Sequence, residues 1–137
     1  MGNIKGNCNC NAVNFEFNVP TEKQAIYMCH CSICRRATGT NGVAVMIANR
    51  ADFKWLKGKE KVKYWHKPSH DWVCSFCEEC GSSLPGQNDE QRMYIPVGLI
   101  DNIYLDGVRV AHHLWVDSKA SWDDIGDDGE QHQCSIR

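Results

Sequence analysis

The sequence predicts a mainly β fold, with small curved sheets joined by metal-bearing loops and at most one or two short helices. Three observations predict it: the apolar segments are short, turn signals separate them, and nine cysteines cluster at two- and three-residue spacings. The first strand is expected over residues 12–19, where Val13, Phe15, Phe17 and Val19 alternate with other residues and the run stops at Pro20. Residues 42–48 form a short, apolar, β-branched run of the kind a fully buried strand shows. Further strands are expected over Val62–His66 and over residues 72–76, 93–97 and 108–116. Turn sequences such as Lys57-Gly58-Lys59, Leu84-Pro85-Gly86 and Asp106-Gly107 separate them. No long stretch repeats at the helical period. Only Ser32–Thr38, closed by Gly39, reads as a helix, of about two turns.

The charge balance narrows the partners. With 15 Lys+Arg against 17 Asp+Glu, the chain has no global field to draw it to nucleic acid or an anionic membrane. No run approaches the roughly 18 to 20 apolar residues that span a bilayer, and the N-terminus lacks the apolar core of a secretory signal. The expectation is a cytoplasmic protein whose partner is a small molecule. Lys59, Lys61 and Lys63 alternate with Glu60, Val62 and Tyr64, which on a strand places the lysines on one solvated, edge-protecting face. Asp123, Asp124, Asp127, Asp128 and Glu130 read as solvated charge, so one domain over residues 1–125 is expected to end in an acidic, partly disordered tail over 126–137.

An odd number of closely spaced cysteines suits metal ligation better than a disulfide framework. The turn Cys77-Glu78-Glu79-Cys80-Gly81 lets two thiolates approach one ion at about 2.3 Å while the glycine absorbs the backbone bend. Cys8 and Cys10, in a Gly- and Asn-rich loop, offer the other half of a tetrahedron. Four thiolates from Cys8, Cys10, Cys77 and Cys80 would make a structural zinc site, closing a loop of roughly 70 residues. Cys29, Cys31 and Cys34 provide three ligands with no obvious fourth, and an unfilled position distinguishes a catalytic zinc from a structural one. An electron-rich three-thiolate zinc suits holding an incoming thiol better than making hydroxide. The alternative is a closed site whose fourth ligand is His30, Cys74 or another histidine. His30, flanked by cysteines, is expected to turn its ring from the metal and line the pocket. His66, His70, His112, His113 and His132 are expected to be exposed or hydrogen-bonded bystanders.

In order and spacing, Cys8-x-Cys10, then Cys29-His30-Cys31-x-x-Cys34-Arg35-Arg36-x-x-Gly39, then Phe76-Cys77-x-x-Cys80-Gly81 resemble the family of glutathione-dependent formaldehyde-activating enzymes and centromere protein V. The resemblance extends to Gly98-Leu99-Ile100-Asp101 and to residues 113–122, covering about residues 4 to 125. It implies a β-tent fold of small curved antiparallel sheets with two zinc ions, one structural and one catalytic. It also implies a carbon-sulfur lyase activity that joins glutathione to formaldehyde as S-hydroxymethylglutathione. One departure stands out: Cys74, three residues before Cys77 where a basic residue is expected, creates a competing Cys74-x-x-Cys77 pair. Cys74 and Cys134 are left as free thiols.

Two functions follow. In the first, a thiol such as glutathione binds at the three-cysteine zinc and adds to formaldehyde or a related electrophile, with Arg35 or Arg36 contacting the thiol's carboxylates and His30 assisting proton transfer. In the second, the zinc is structural and the domain is a non-catalytic binding module presenting its lysine strand. The oligomeric state is open.

Overall fold

The computed structural model describes residues 3–136. In chain order its first strands are β1 (Ile4–Asn7), β2 (Asn14–Phe17), β3 (Ile26–Cys29), β4 (Val43–Asn49), β5 (Phe53–Lys57) and β6 (Val62–His66), with the helix α1 (Ser32–Thr38) between β3 and β4. There follow β7 (Val73–Cys77), β8 (Ser83–Leu84), β9 (Gly86–Gln87), β10 (Arg92–Pro96), β11 (Val110–Leu114) and β12 (Glu130–Gln131). They form three sheets, ordered β1-β2-β5, β12-β11-β3-β4-β10-β9 and β6-β7-β8. The mainly β expectation holds, with small sheets and one α-helix.

The alternation in β2 turns Phe15 and Phe17 inward, where they join Ile4, Met46 and Ile95 in the main core. Phe15 lies 5.7 Å from the Phe53 ring and edge-on to Trp55 at 6.2 Å, so aromatic contacts tie β2 to β5 within the first sheet. A second, smaller cluster packs Val13, Val62 and Leu84 around the buried Cys8 and Cys77. Two of the prospective metal ligands are therefore part of a core.

Four details differ from the sequence expectations. The pairing is not wholly antiparallel, because β11 runs parallel to both β3 and β12. Strands β1, β3 and β5 fall outside the segments expected from the sequence; β3 in particular is only four residues long and lies between two neighbours, so the sheet rather than its own pattern defines it. Lys59–Lys61 forms a 3-10 turn and the strand begins at Val62. Lys61 and Lys63 then pair with Glu79 and Glu78 at 2.8 and 3.4 Å, so their charges are spent on the neighbouring cysteine turn. Finally, part of the segment expected to be a solvated tail returns to the large sheet: β12 pairs with β11, matching Glu130 to His112.

Candidate metal centres and a buried histidine chain

Three structural devices bring Cys8, Cys10, Cys77 and Cys80 together. Cys8 follows β1 and accepts the Val13 amide on its sulfur at 3.3 Å; Cys77 ends β7; and the turn after it is closed by the Gly81 amide donating to the Cys77 carbonyl at 2.8 Å. Gly81 sits at φ +76, a conformation that favours glycine, as the motif requires. The four sulfurs lie within 4.8 Å of one another, with Cys8–Cys10 at 3.6 Å and Cys10–Cys77 at 3.8 Å. Sulfurs bonded at about 2.3 Å to one tetrahedral ion stand about 3.8 Å apart, so the donor set fits such an ion. Burial opposes ionisation of Cys8, but the Val13 amide and the thiols of Cys10 and Cys77 bring its pKa down on balance; the Ser82 hydroxyl, 3.2 Å from the Cys80 sulfur, lowers Cys80 to about 6. Both shifts favour the ligating form, whereas Cys10, against the pull of the Ala12 backbone, is pushed up to about 12 by burial and the neighbouring thiols, Cys8 first.

The rival Cys74-Cys77 pairing fails for a geometric reason. The two cysteines lie on one extended strand, about 10 Å apart along it and on opposite faces. Cys74 faces Trp65 across the ladder and joins neither thiol cluster. Cys134 is exposed.

Cys29, Cys31 and Cys34 converge at the junction of β3 and α1, again within 4.8 Å of one another. Cys31 caps the helix, its sulfur accepting the Cys34 amide at 3.2 Å, and Gly39 closes the other end in the left-handed conformation. Contact with Cys29, then Cys34, holds the Cys31 thiol far below its ordinary value, near 2. Contact with Cys31 pushes Cys29 up to about 11, and contact with Cys29, then Cys31, pushes Cys34 higher still. Three thiols sharing one site without a cation ionise singly; a cation lets all three ligate. The cluster can therefore hold a metal ion. Among the described residues no fourth Cys, His, Asp or Glu donor joins it.

The two arginines part company. Arg36 is exposed and its guanidinium returns to the Ser32 carbonyl of its own helix at 3.3 Å. Arg35 is half-buried, and its Nε is buried with no hydrogen-bond partner.

His30 is 1% exposed, and its surroundings were not legible in the sequence. Its Nε2 lies 2.8 Å from Nδ1 of His113, whose Nε2 lies 2.8 Å from an Asp127 carboxylate oxygen. A carboxylate only accepts, so His113 donates from Nε2; neutral His113 then accepts at Nδ1 from His30 Nε2–H. That order leaves a lone pair on His30 Nδ1, which is buried and without a hydrogen-bond partner. The Asp123 carboxylate is 3.6 Å from it, too far for a hydrogen bond but close enough to favour a positive charge there. Burial, then the neighbouring His113, lowers the His30 pKa, and the His113 hydrogen bond lowers that of Asp127. His113, expected to be a bystander, is thus a buried link, and its carboxylate partner is the exposed Asp127 of the expected tail. His112 and His132 lie 3.1 Å apart, within hydrogen-bond distance of each other, beside Glu130. His66 and His70 remain exposed.

Surface recesses lie elsewhere, among them one beside Cys8 and one beside Asp89 and Arg92. The larger, about 450 Å³, is bordered by Cys8, Ser82 and Asp101 beside the four-thiol cluster. Among the described residues no helix is long and apolar enough to cross a membrane.

A crystal structure of a Rhodobacter sphaeroides protein superposes with a TM-score of 0.60, covering 78% of this chain and 99% of that one at 21% identity, which establishes a shared fold. A Halomonas elongata protein, provisionally named as a glutathione-dependent formaldehyde-activating enzyme, is 31% identical over 86 residues. That match covers 59% of this chain and spans only about half, 54%, of the relative's length. The family model described as glutathione-dependent formaldehyde-activating enzyme matches residues 3–118, a span that takes in both thiol clusters, His30, Arg35 and His113. With that match over most of its length, the chain belongs to the family of glutathione-dependent formaldehyde-activating enzymes.

Proposed function

We propose that the protein is a zinc-dependent carbon-sulfur lyase that adds a small thiol, glutathione or a close analogue, to formaldehyde or a related electrophile. The observation that carries this reading is the three-thiol cluster, which has no fourth protein donor among the described residues and adjoins an arginine with an unpartnered Nε. Cys29, Cys31 and Cys34 would hold one zinc ion, which supplies a Lewis-acidic position for the substrate sulfur in its thiolate form. Cys8, Cys10, Cys77 and Cys80 would hold the second, which is structural.

The chain's own residues perform the remaining work. Arg35 orients the thiol by pairing with a substrate carboxylate through its free Nε, while Arg36 serves the helix. His30 Nδ1 takes the thiol proton; its Nε2–H stays on His113, and Asp123 faces the charge that forms. A sulfur–carbon bond forms, the carbonyl π bond breaks, and the proton passes to the carbonyl oxygen, so the thiol and aldehyde combine as a thiohemiacetal with nothing lost. The binding-module alternative is weakened by the Glu78 and Glu79 pairing of Lys61 and Lys63, which leaves less free charge for a partner.

Isothermal titration of the zinc-loaded protein with glutathione tests the reading. Wild type binds the thiol, and Cys31→Ser, still folded, binds at least tenfold more weakly in step with its lost zinc. Equal binding by both proteins, or none by wild type, overturns it.

A further inference from the structure

Outside both thiol clusters, the pairing of β12 with β11 assembles a third group of donors. Glu130 stands directly opposite His112 in the ladder, and His132 follows Glu130 by two residues, on the same side of the chain. The ladder continues past β12, since the His132 amide donates to the His113 carbonyl at 2.8 Å. His112 Nδ1 and His132 Nε2 are 3.1 Å apart, and Glu130 Oε2 lies 3.7 Å from the first and 3.8 Å from the second. Tyr27 stacks on His112 with ring centroids 5.2 Å apart, which fixes the plane of that imidazole.

We infer that His112, Glu130 and His132 form a third metal site, for a divalent transition cation of the zinc type. Imidazole nitrogens bonded at about 2.0–2.1 Å to one ion stand about 2.9 Å apart at a right angle and about 3.4 Å at the tetrahedral angle, and 3.1 Å falls between. The carboxylate oxygen must close by a few tenths of an ångström, which a side chain 69% exposed is free to do. A hydrogen bond between the two rings accounts for their spacing but not for the carboxylate. Glu130 lies beyond hydrogen-bond distance of either nitrogen yet equidistant from both, the position of a third vertex around a shared ion. Two imidazoles and one carboxylate suit zinc, nickel or cobalt, while magnesium and calcium prefer all-oxygen shells. The remaining coordination positions face solvent and would take water. An ion here would clip β12 to β11 and so hold the return of the segment that carries Asp127.

The site shares no residue with the thiol clusters, so it stands or falls separately from the proposed activity. The probe is zinc itself, titrated calorimetrically into protein whose thiol clusters are already loaded, with total zinc measured alongside. Wild type takes up one equivalent more than His132→Ala, and Glu130→Gln binds that equivalent about tenfold more weakly. Because His132 lies against the sheet, Glu130→Gln carries the comparison if His132→Ala also loses thiol-bound zinc: its exposed side chain has no part in the core. The same stoichiometry and affinity in wild type and Glu130→Gln, or no further equivalent in wild type, overturns the inference.

Discussion

Arg35 keeps a buried Nε without a partner, and an unmade bond of that kind costs about 1–3 kcal/mol unless a ligand completes it. Arg35→Ala should therefore lower glutathione affinity roughly tenfold at unchanged zinc content, whereas Arg36→Ala, removing only a contact to its own helix, should leave affinity unchanged. Calorimetry with zinc analysis on both variants checks this; a parallel loss of zinc and affinity would count against an orienting role. Neighbouring helical positions point about 100° apart, so the sequence already required different roles for the two arginines, but not which faced inward. Asp127 is a different case, since nothing in its local sequence separates it from Asp124 or Asp128. Its hydrogen bond from His113 depresses its pKa below the ordinary 3.8, so the folded state gains stability above that value and loses it as pH falls through the native pKa. Asp127→Asn should be less stable than wild type at pH 7, and denaturant midpoints should show the gap narrowing only at pH values below 3.8.

At the scale of the elements, the Cys31 cap of α1 was decided by the structure, but the helix itself was legible because its seven-residue segment ends at Gly39, a residue able to close it. The strands of clear alternation, β2 above all, were legible for the same local reason. Strand β11 falls within the expected segment 108–116, but β3 depends on its neighbours β11 and β4, and β12 exists only as an addition to β11, so no period in the few residues of β3 and β12 could announce them. The loop between α1 and β4 shows how tightly the cysteine junction is built. A side-chain carbon at Gly42 would overlap the Cys29 carbonyl oxygen and press on its carbon at 3.1 Å. Gly42→Ala should cost about 1–3 kcal/mol by overpacking and should reduce zinc in the three-thiol cluster selectively, since it displaces Cys29. Thermal unfolding with metal analysis measures both effects.

Across the whole molecule, Cys10 and Cys77 meet over a separation of 67 residues. A cross-link over a loop of that length restricts the unfolded chain by about 4 kcal/mol, a large share of a small domain's stability. The cluster is also continuous with the core around Val13 and Leu84. Cys77→Ser should consequently unfold the protein at moderate temperature, while Cys31→Ser should leave it folded with less zinc. Thermal melts of the two variants, followed with and without chelator, distinguish the sites. If Cys31→Ser were as destabilising as Cys77→Ser, the division into a structural and a reactive cluster would fail.

The chain by itself determined the family, the mainly β class, the two cysteine groups and the helix that presents one of them. Each depends on spacings of a few residues, and bond lengths together with backbone geometry restrict what such spacings can build. The rejection of Cys74, the inward turn of Arg35, the chain from Asp127 through His113 to His30, and the meeting of His112 with His132 were decided by tertiary structure. Apart from the orientation of Arg35, which belongs to α1, each of these depends on strand register or on the parallel return of the C-terminal segment. Register joins residues distant in sequence, and a donor atom's role depends on what stands opposite it; no local pattern of residues contains that information.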